Sequence, residues 1–98
     1  MRATLLVRDR IAYADHAFAE IVVWQVTKPL PGSTHTYKYR LALVNHRVCL
    51  LRFDNEAGKG DHRHVRGRES AYRFISLDRL FADFEHEARR LLDEDRNA

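Results

Sequence analysis

Between Tyr37 and Asp54 the chain alternates. Tyr39, Leu41 and Leu43 are interleaved with Lys38, Arg40 and Ala42, and after Asn45-His46-Arg47 a second run, Val48 to Asp54, sets Leu51 and Phe53 two residues apart. Successive side chains of a strand point to opposite faces, so this period marks two strands of an antiparallel hairpin with one apolar face. A three-residue loop pairs Leu43 with Cys49, Leu41 with Leu51 and Tyr39 with Phe53. A two-residue loop opposes Tyr39 to Arg52 and Arg40 to Leu51 and mixes the faces. The three-residue register is therefore expected. On its other face Lys38 stands opposite Asp54 and Arg40 opposite Arg52. Like charges directly across a sheet cost up to about 1 kcal/mol unless an anion or a carboxylate lies between them.

The flanking sequence extends this hairpin into a sheet. Ala3 to Val7 reads as a strand ending at Arg8-Asp9-Arg10. Ala17 to Thr27, rich in β-branched residues and carrying Trp24, reads as a second strand, stopped by Lys28-Pro29-Leu30-Pro31-Gly32-Ser33. Glu56 to Arg68 reads as an exposed loop or irregular hairpin, and Ala71 to Ile75 as a short returning strand. From Leu77 the apolar positions Leu80, Phe81, Phe84, Ala88, Leu91 and Leu92 follow helical spacing, with Ser76 as N-cap. The expected fold is α+β, a four- to five-stranded antiparallel β-meander over about 3–75 with one C-terminal α-helix, about 77–94, packed on one face. Trp24 and Cys49 are expected in the core, and Tyr37, Tyr39 and Tyr72 in sheet packing.

The chain has 98 residues, 45% of them hydrophobic, with 4 Gly and 2 Pro, which fits a single domain with a small core and little room for a large cofactor. No apolar run approaches the roughly 18 residues of a membrane span. The run Leu5 to Val7 is too short for a signal peptide, and Cys49 alone excludes an internal disulfide, a zinc ribbon or a thioredoxin motif. A cytoplasmic protein is expected.

Charge is unevenly spread. Residues 38 to 73 hold 9 basic and 4 acidic side chains, whereas residues 74 to 98 hold 4 and 7. A polyanion site is therefore sought in the middle of the chain, the plainer alternative being a basic surface balancing an acidic helix. The segment Asp54-Asn55-Glu56-Ala57-Gly58-Lys59-Gly60-Asp61-His62-Arg63-His64 is the densest cluster of functional groups. Gly58 and Gly60 flank Lys59, which allows backbone amides and an ammonium to converge on one anion. His62 and His64, two apart, share one side of an extended segment, with Arg63 opposite.

Two chemistries compete for these residues. In one, a histidine takes the proton of a ribose 2′-hydroxyl and a second acid protonates the leaving oxygen, with Lys59, Arg40 and Arg52 holding the phosphate. In the other, His62, His64 and carboxylates from Asp54, Glu56 or Asp61 bind a divalent metal. The surrounding cations oppose a metal, so the metal-free reading is preferred and no cofactor is expected. The candidate catalytic residues are His62, His64, Lys59 and Asp61. Lys38, Arg40, Arg52, Lys59 and Arg63 are the candidate nucleic-acid contacts, and Asp54, Asn55, Gly58 and Gly60 are assigned to shaping the loop.

The strings Tyr37-Lys38-Tyr39-Arg40-Leu41, Phe53-Asp54-Asn55-Glu56-Ala57-Gly58-Lys59-Gly60-Asp61-His62-Arg63-His64 and Tyr72-Arg73-Phe74, with Ser76-Leu77 and Ala82-Asp83-Phe84, closely resemble the TumE family. Phe53 stands where the resemblance leads one to expect a tyrosine, so no phenol is available there. The resemblance implies a toxin of a toxin-antitoxin pair and a helix-turn-helix antitoxin as protein partner. It supplies no reaction. Joined to the residue reading, it gives a toxin acting on RNA as a metal-independent ribonuclease. A non-catalytic module that binds nucleic acid or a helix-turn-helix partner is the alternative, and a protein docking its acidic helix on a basic partner is a third. A homodimer, or a complex with the antitoxin through the sheet edge or helix, is expected, because one helix covers only part of a four- or five-stranded sheet.

Overall fold

The computed structural model describes residues 2–97. Six strands, β1 (Ala3–Ala14), β2 (Ala17–Val26), β3 (Tyr37–Asn45), β4 (Val48–Glu56), β5 (Gly60–Val65) and β6 (Arg68–Ala71), precede one helix, α1 (Leu77–Arg96). The strands form one antiparallel meander in chain order, so the expected α+β class holds with six strands in place of four or five.

The additional strand residues lie where polar composition masked them. Arg8-Asp9-Arg10 is not a turn: β1 continues through it, pairing Arg8 with Val22 and Arg10 with Glu20, and turns at Asp15-His16. Charges are tolerated there because β1 is an edge strand whose residues, apart from Val7 and Tyr13, are all exposed. Glu56 to Arg68 is likewise mostly strand, folding back at Ala57-Gly58-Lys59 and again at Arg66-Gly67. Ala71 ends β6 and does not start a strand; Tyr72 to Ser76 cross irregularly to the helix.

The central hairpin differs from expectation in its register. Its turn is the two residues His46 and Arg47, both left-handed at φ 49° and 67°. Such turns usually carry Asn or Gly, so the sequence does not announce one. A plain two-residue turn would set Leu51 opposite Ala42 and put the apolar residues out of phase. A bulge at Leu50 restores the phase, giving Leu43 opposite Leu51, Leu41 opposite Phe53, Ala42 opposite Arg52 and Arg40 opposite Asp54. Arg40 thus faces a carboxylate and not Arg52. Beyond the bulge, Cys49 pairs with Val44 and is exposed, so it is not a core residue; Trp24 is only partly buried.

One sheet face is covered by α1. Ala19, Ile21, Val23, Tyr39, Leu41, Leu43, Leu51 and Phe53 meet Leu80, Phe84, Ala88 and Leu91, the buried stripe of the helix. Phe53 lies edge-on to Tyr72 and Phe84, at 4.9 and 6.0 Å between ring centres. Ser76 caps the helix as expected, its hydroxyl accepting from the Arg79 N–H at 3.1 Å. The acidic helix is tied to the sheet by polar bonds around this core. Tyr13 donates to Glu85, Tyr72 to Asp83, Arg63 to Glu87, and both Asn45 and Arg66 to Asp95. Much of the charge asymmetry is therefore internal pairing. The opposite face carries Phe18, Val22, Trp24, Lys38, Arg40, Arg52, Asp54, His62 and His64, and no helix of the described residues lies on it.

The β2–β3 connection, with Leu30 buried, is pressed against the start of β5. Pro31 O accepts from the Gly58 N–H at 2.7 Å, and a Cβ on Gly60 would stand 2.6 Å from Gly32 O. Gly60 has φ +79° and Gly58 +87°, but a Cβ on Gly58 meets nothing within 4 Å. Gly60→Ala is expected to cost well over the roughly 1–2 kcal/mol of a left-handed alanine, and Gly58→Ala no more than that. Urea denaturation of the two variants tests this; equal losses would show that the backbone contact gives way freely.

The polar bonds to the helix also set an acid limit. The Tyr13 hydroxyl on Glu85 holds that carboxyl below its ordinary value, aided by Arg89. Arg66 and then Asn45 do the same for Asp95. Burial pushes Asp83 up, but Tyr72 and Arg79 outweigh it and hold it low. Depressed folded-state values mean that the unfolded chain binds protons first as pH falls. Stability is thus complete above the ordinary carboxylate range and is lost as pH drops through the lower folded values. Melting temperatures are expected to fall between about pH 5 and pH 3, less steeply in Asp95→Asn; a wild type with a flat profile there would contradict this.

Candidate functional site

Period-two alternation divides the Gly58 to His64 segment between the two faces of the sheet. Asp61 and Arg63 lie on the helix side. Asp61 is a hub there: Oδ1 accepts from the Ser33 hydroxyl at 2.6 Å, while Oδ2 is 2.7 Å from both the Tyr39 hydroxyl and His35 Nε2. Asn55 completes the network, accepting from the Tyr39 N–H and donating to Tyr37 O and Ser33 Oγ. Burial, and then the bond to Asp61, push the Tyr39 phenol far above its ordinary value. Phe74 stacks on His35 at 3.8 Å. Both Asp61 oxygens are engaged in holding the Ser33–Tyr39 segment, and Arg63 is bonded to Glu87 at 2.5 Å. The structure does not bring Asp61 or Arg63 together with the two histidines.

His62 and His64 lie on the other face, together with Asp54 and Arg52. The β4–β5 register sets Asp54 opposite His62 and Arg52 opposite His64, and the imidazoles are near parallel, 5.9 Å apart. His62 is not on an exposed loop, for its side chain is only 6% exposed. Its Nδ1 is 2.8 Å from Glu69 Oε1. Because a carboxylate only accepts, that nitrogen carries a proton, and in the neutral ring the lone pair falls on Nε2. Among the described residues Nε2 is buried and has no hydrogen-bond partner, and the same is true of Asp54 Oδ1. Asp54 Oδ2 is 3.1 Å from Arg52 Nε, an ion pair without hydrogen-bond alignment. Arg52 Nη2 is 3.0 Å from His64 Nε2. A guanidinium only donates, so His64 accepts there and holds its own proton on Nδ1.

The other candidate cations surround this group. Arg40 is the cross-strand neighbour of Asp54, Lys38 is two residues along β3, and Lys59 Nζ is 4.0 Å from Glu69. Lys38 and Lys59 are exposed and Arg52 is half-buried. Gly58, with Lys59, makes the β4–β5 turn. A cleft of about 690 Å³ lies elsewhere, lined by Tyr13, His16, Asn45, His46 and Arg89 at the turns and along the helix.

Glu69 was not among the candidates. Had Arg66-Gly67 been read as a tight turn, the returning strand would have set Glu69 opposite His64, as observed. Ser33, His35 and Tyr39, which engage Asp61, carry no local signal because they meet it across the sheet. The cluster can do two things: hold an imidazole in one tautomer beside a ring of cations, or present nitrogen and oxygen donors to a cation.

Neither a curated protein nor a solved structure matches the chain. One family profile does, that described as Toxin TumE, over residues 2–92 of the 98. The match takes in all six strands and most of α1, and with them every residue of both polar clusters. The chain belongs to the Toxin TumE family.

Proposed function

We propose that this protein is the toxin of a toxin-antitoxin pair and that it acts on RNA, as a ribonuclease, through the sheet face that α1 leaves uncovered. The observation that carries this reading is the buried His62, fixed by Glu69 with its Nε2 lone pair free, beside His64 and within a group of cations. In this reading His62 Nε2 takes the proton of a 2′-hydroxyl. The oxygen then attacks the adjacent phosphorus, and the bond to the 5′-oxygen breaks as that oxygen gains a proton from a second acid. His64, on the same face and half-buried, is the acid in reach once Arg52 leaves its Nε2 and that nitrogen takes up a proton. Glu69 and Asp54 stabilise the imidazolium that forms on His62, as a carboxylate does for a catalytic histidine. Arg52 is the side chain that turns from Asp54 and His64 to the phosphate, with Arg40 and Lys59 as further phosphate contacts. No step in this sequence calls for a metal.

A second reading, a non-catalytic module that binds a helix-turn-helix antitoxin or nucleic acid, is favoured by a different observation. β1 is a twelve-residue edge strand with Leu5, Leu6 and Ile11 exposed, open to pairing with another chain. A second copy or the antitoxin would cover it.

RNA cleavage by the purified protein separates the two. His62→Gln and His64→Ala are each expected to lower the rate by roughly 10² to 10⁴, the range for a positioned proton-transfer group, with unchanged circular dichroism. Full cleavage or full toxicity in the double variant would remove the proton-transfer assignment. Removing Arg40 and Arg52 together is expected to flatten the dependence of RNA affinity on salt by about 0.7 per lost phosphate contact. An unchanged slope would return both arginines to a purely structural role.

A further inference from the structure

Asp54, His62 and His64 each place one donor atom within 4.8 Å of the other two. Three features separate this group from an ordinary polar surface. His62 is more than nine-tenths buried, and its Nε2 has no hydrogen-bond partner among the described residues. Asp54 Oδ1, equally without a partner, lies 3.8 Å from His64 Nε2. The far nitrogen of His62 is held by Glu69, the arrangement in which a carboxylate fixes the tautomer and orientation of a metal-binding imidazole. We propose that Asp54, His62 and His64 form a three-donor site for a divalent transition-metal ion, with zinc as the ion whose preferred ligands it offers.

Two imidazoles and one carboxylate suit zinc and leave further positions open. Donors about 2.0 to 2.2 Å from a tetrahedral zinc lie about 3.4 Å from one another, so the three atoms need close by no more than about 1.4 Å. Side-chain rotation within a strand pair supplies that. Asp61, also a carboxylate of this segment, is excluded because it faces the helix and both its oxygens are taken. Arg52 is the resident cation, its guanidinium against Asp54 and His64. Its side chain is 30% exposed, so it can turn to solvent and give up its place to a metal. Arg52 is thus a competitor, and removing it tightens metal binding.

The consequence for activity rests on the ribonuclease reading; the site itself does not. A metal on His62 Nε2 occupies the lone pair that proton transfer requires, so the two uses exclude each other. Cleavage by proton transfer proceeds in chelator and is suppressed by stoichiometric zinc.

Titration of the chelator-stripped protein with zinc and with cobalt, by calorimetry and by the visible absorption of cobalt, tests the site. One metal per chain is expected, with affinity at least about 100-fold weaker in Asp54→Asn and His64→Gln, tighter in Arg52→Gln and unchanged in His16→Ala. Imidazole nitrogen resonances of the wild-type protein give a reading that needs no variant: zinc is expected to shift Nε2 of both His62 and His64. Absence of binding, binding indifferent to Asp54→Asn and His64→Gln, or shifts confined to His16 or His46 would overturn the site. Cleavage that persists in chelator alongside failed binding removes the metal and keeps the ribonuclease. Stoichiometric binding with no cleavage under any condition does the reverse, and cleavage that appears only with metal upholds the site and overturns proton transfer at His62.

Discussion

The pairing of β4 with β5 decides the chemistry of this molecule. Asp54 opposite His62 and Arg52 opposite His64 is one register among several that backbone bonding would allow. What selects it is Phe53, 1% exposed, which must face the helix between Tyr72 and Phe84. Side chains alternate, so fixing Phe53 inward fixes Arg52 and Asp54 outward. On β5, Val65 packs against the core and Asp61 and Arg63 find their partners on the same side, which turns His62 and His64 away. A slip of one residue would bury the histidines under α1 and expose the hub carboxylate. The polar site is thus held in register by the burial of Phe53 and by the partners of Asp61 and Arg63 on the opposite side of the same strands.

Each face solves its electrostatics differently. On the helix side, charge is matched by partners on other elements: Arg63 with Glu87, Arg66 with Asp95, Tyr13 with Glu85 and Tyr72 with Asp83. Phenols that donate to carboxylates lose acidity, and Tyr13 is pushed up to about 12 by burial and by Glu85. These bonds pin the rim of a helix that fully buries only four side chains, Leu80, Phe84, Ala88 and Leu91. On the uncovered face the charges converge on one another, Arg52 on Asp54 and on His64, and Glu69 on His62. Taking charges out of water costs about as much as pairing them returns, and Asp54 and His62 are buried, so the second arrangement is not explained by what it contributes to folding.

Apolar periodicity made most of the fold legible. The helix and its Ser76 cap, the β2 run and the alternation of β3 and β4 follow from side-chain spacing, which burial enforces. Where strands carry charge the signal is lost: Arg8 to Arg10 in β1, and the polar residues of β5 and β6, form strands because the neighbouring strand supplies backbone partners, not because their side chains ask for it. The His46-Arg47 turn with its Leu50 bulge was illegible for a related reason. Neither residue is a usual left-handed turn former, and the bulge reconciles the turn with the apolar face only in three dimensions. For the site, spacing alone placed His62 and His64 on one side and Arg63 on the other. It did not show that Asp54 would join them or that Glu69 would return from β6, since both contacts cross strands. Asp61, adjacent to His62 in sequence, was the natural partner to choose, and alternation carries it to the far face.

The division between faces also bears on why the polar site persists. A buried donor or acceptor left without a partner costs about 1–3 kcal/mol, and Asp54 and His62 each carry such an atom within one strand pair. A domain of this size has a stability of only about 5–15 kcal/mol, so two such atoms are a large fraction of it. Replacing the pair by apolar residues would remove the cost without disturbing the helix-side core, because the two sets of side chains never share a face. That the chain instead keeps a carboxylate, two imidazoles and an orienting glutamate together points to an occupant that satisfies them, whether a substrate proton or a metal ion. The fold tolerates the unsatisfied state because its core and the polar ties to its helix lie on the opposite side of the strands that carry the site.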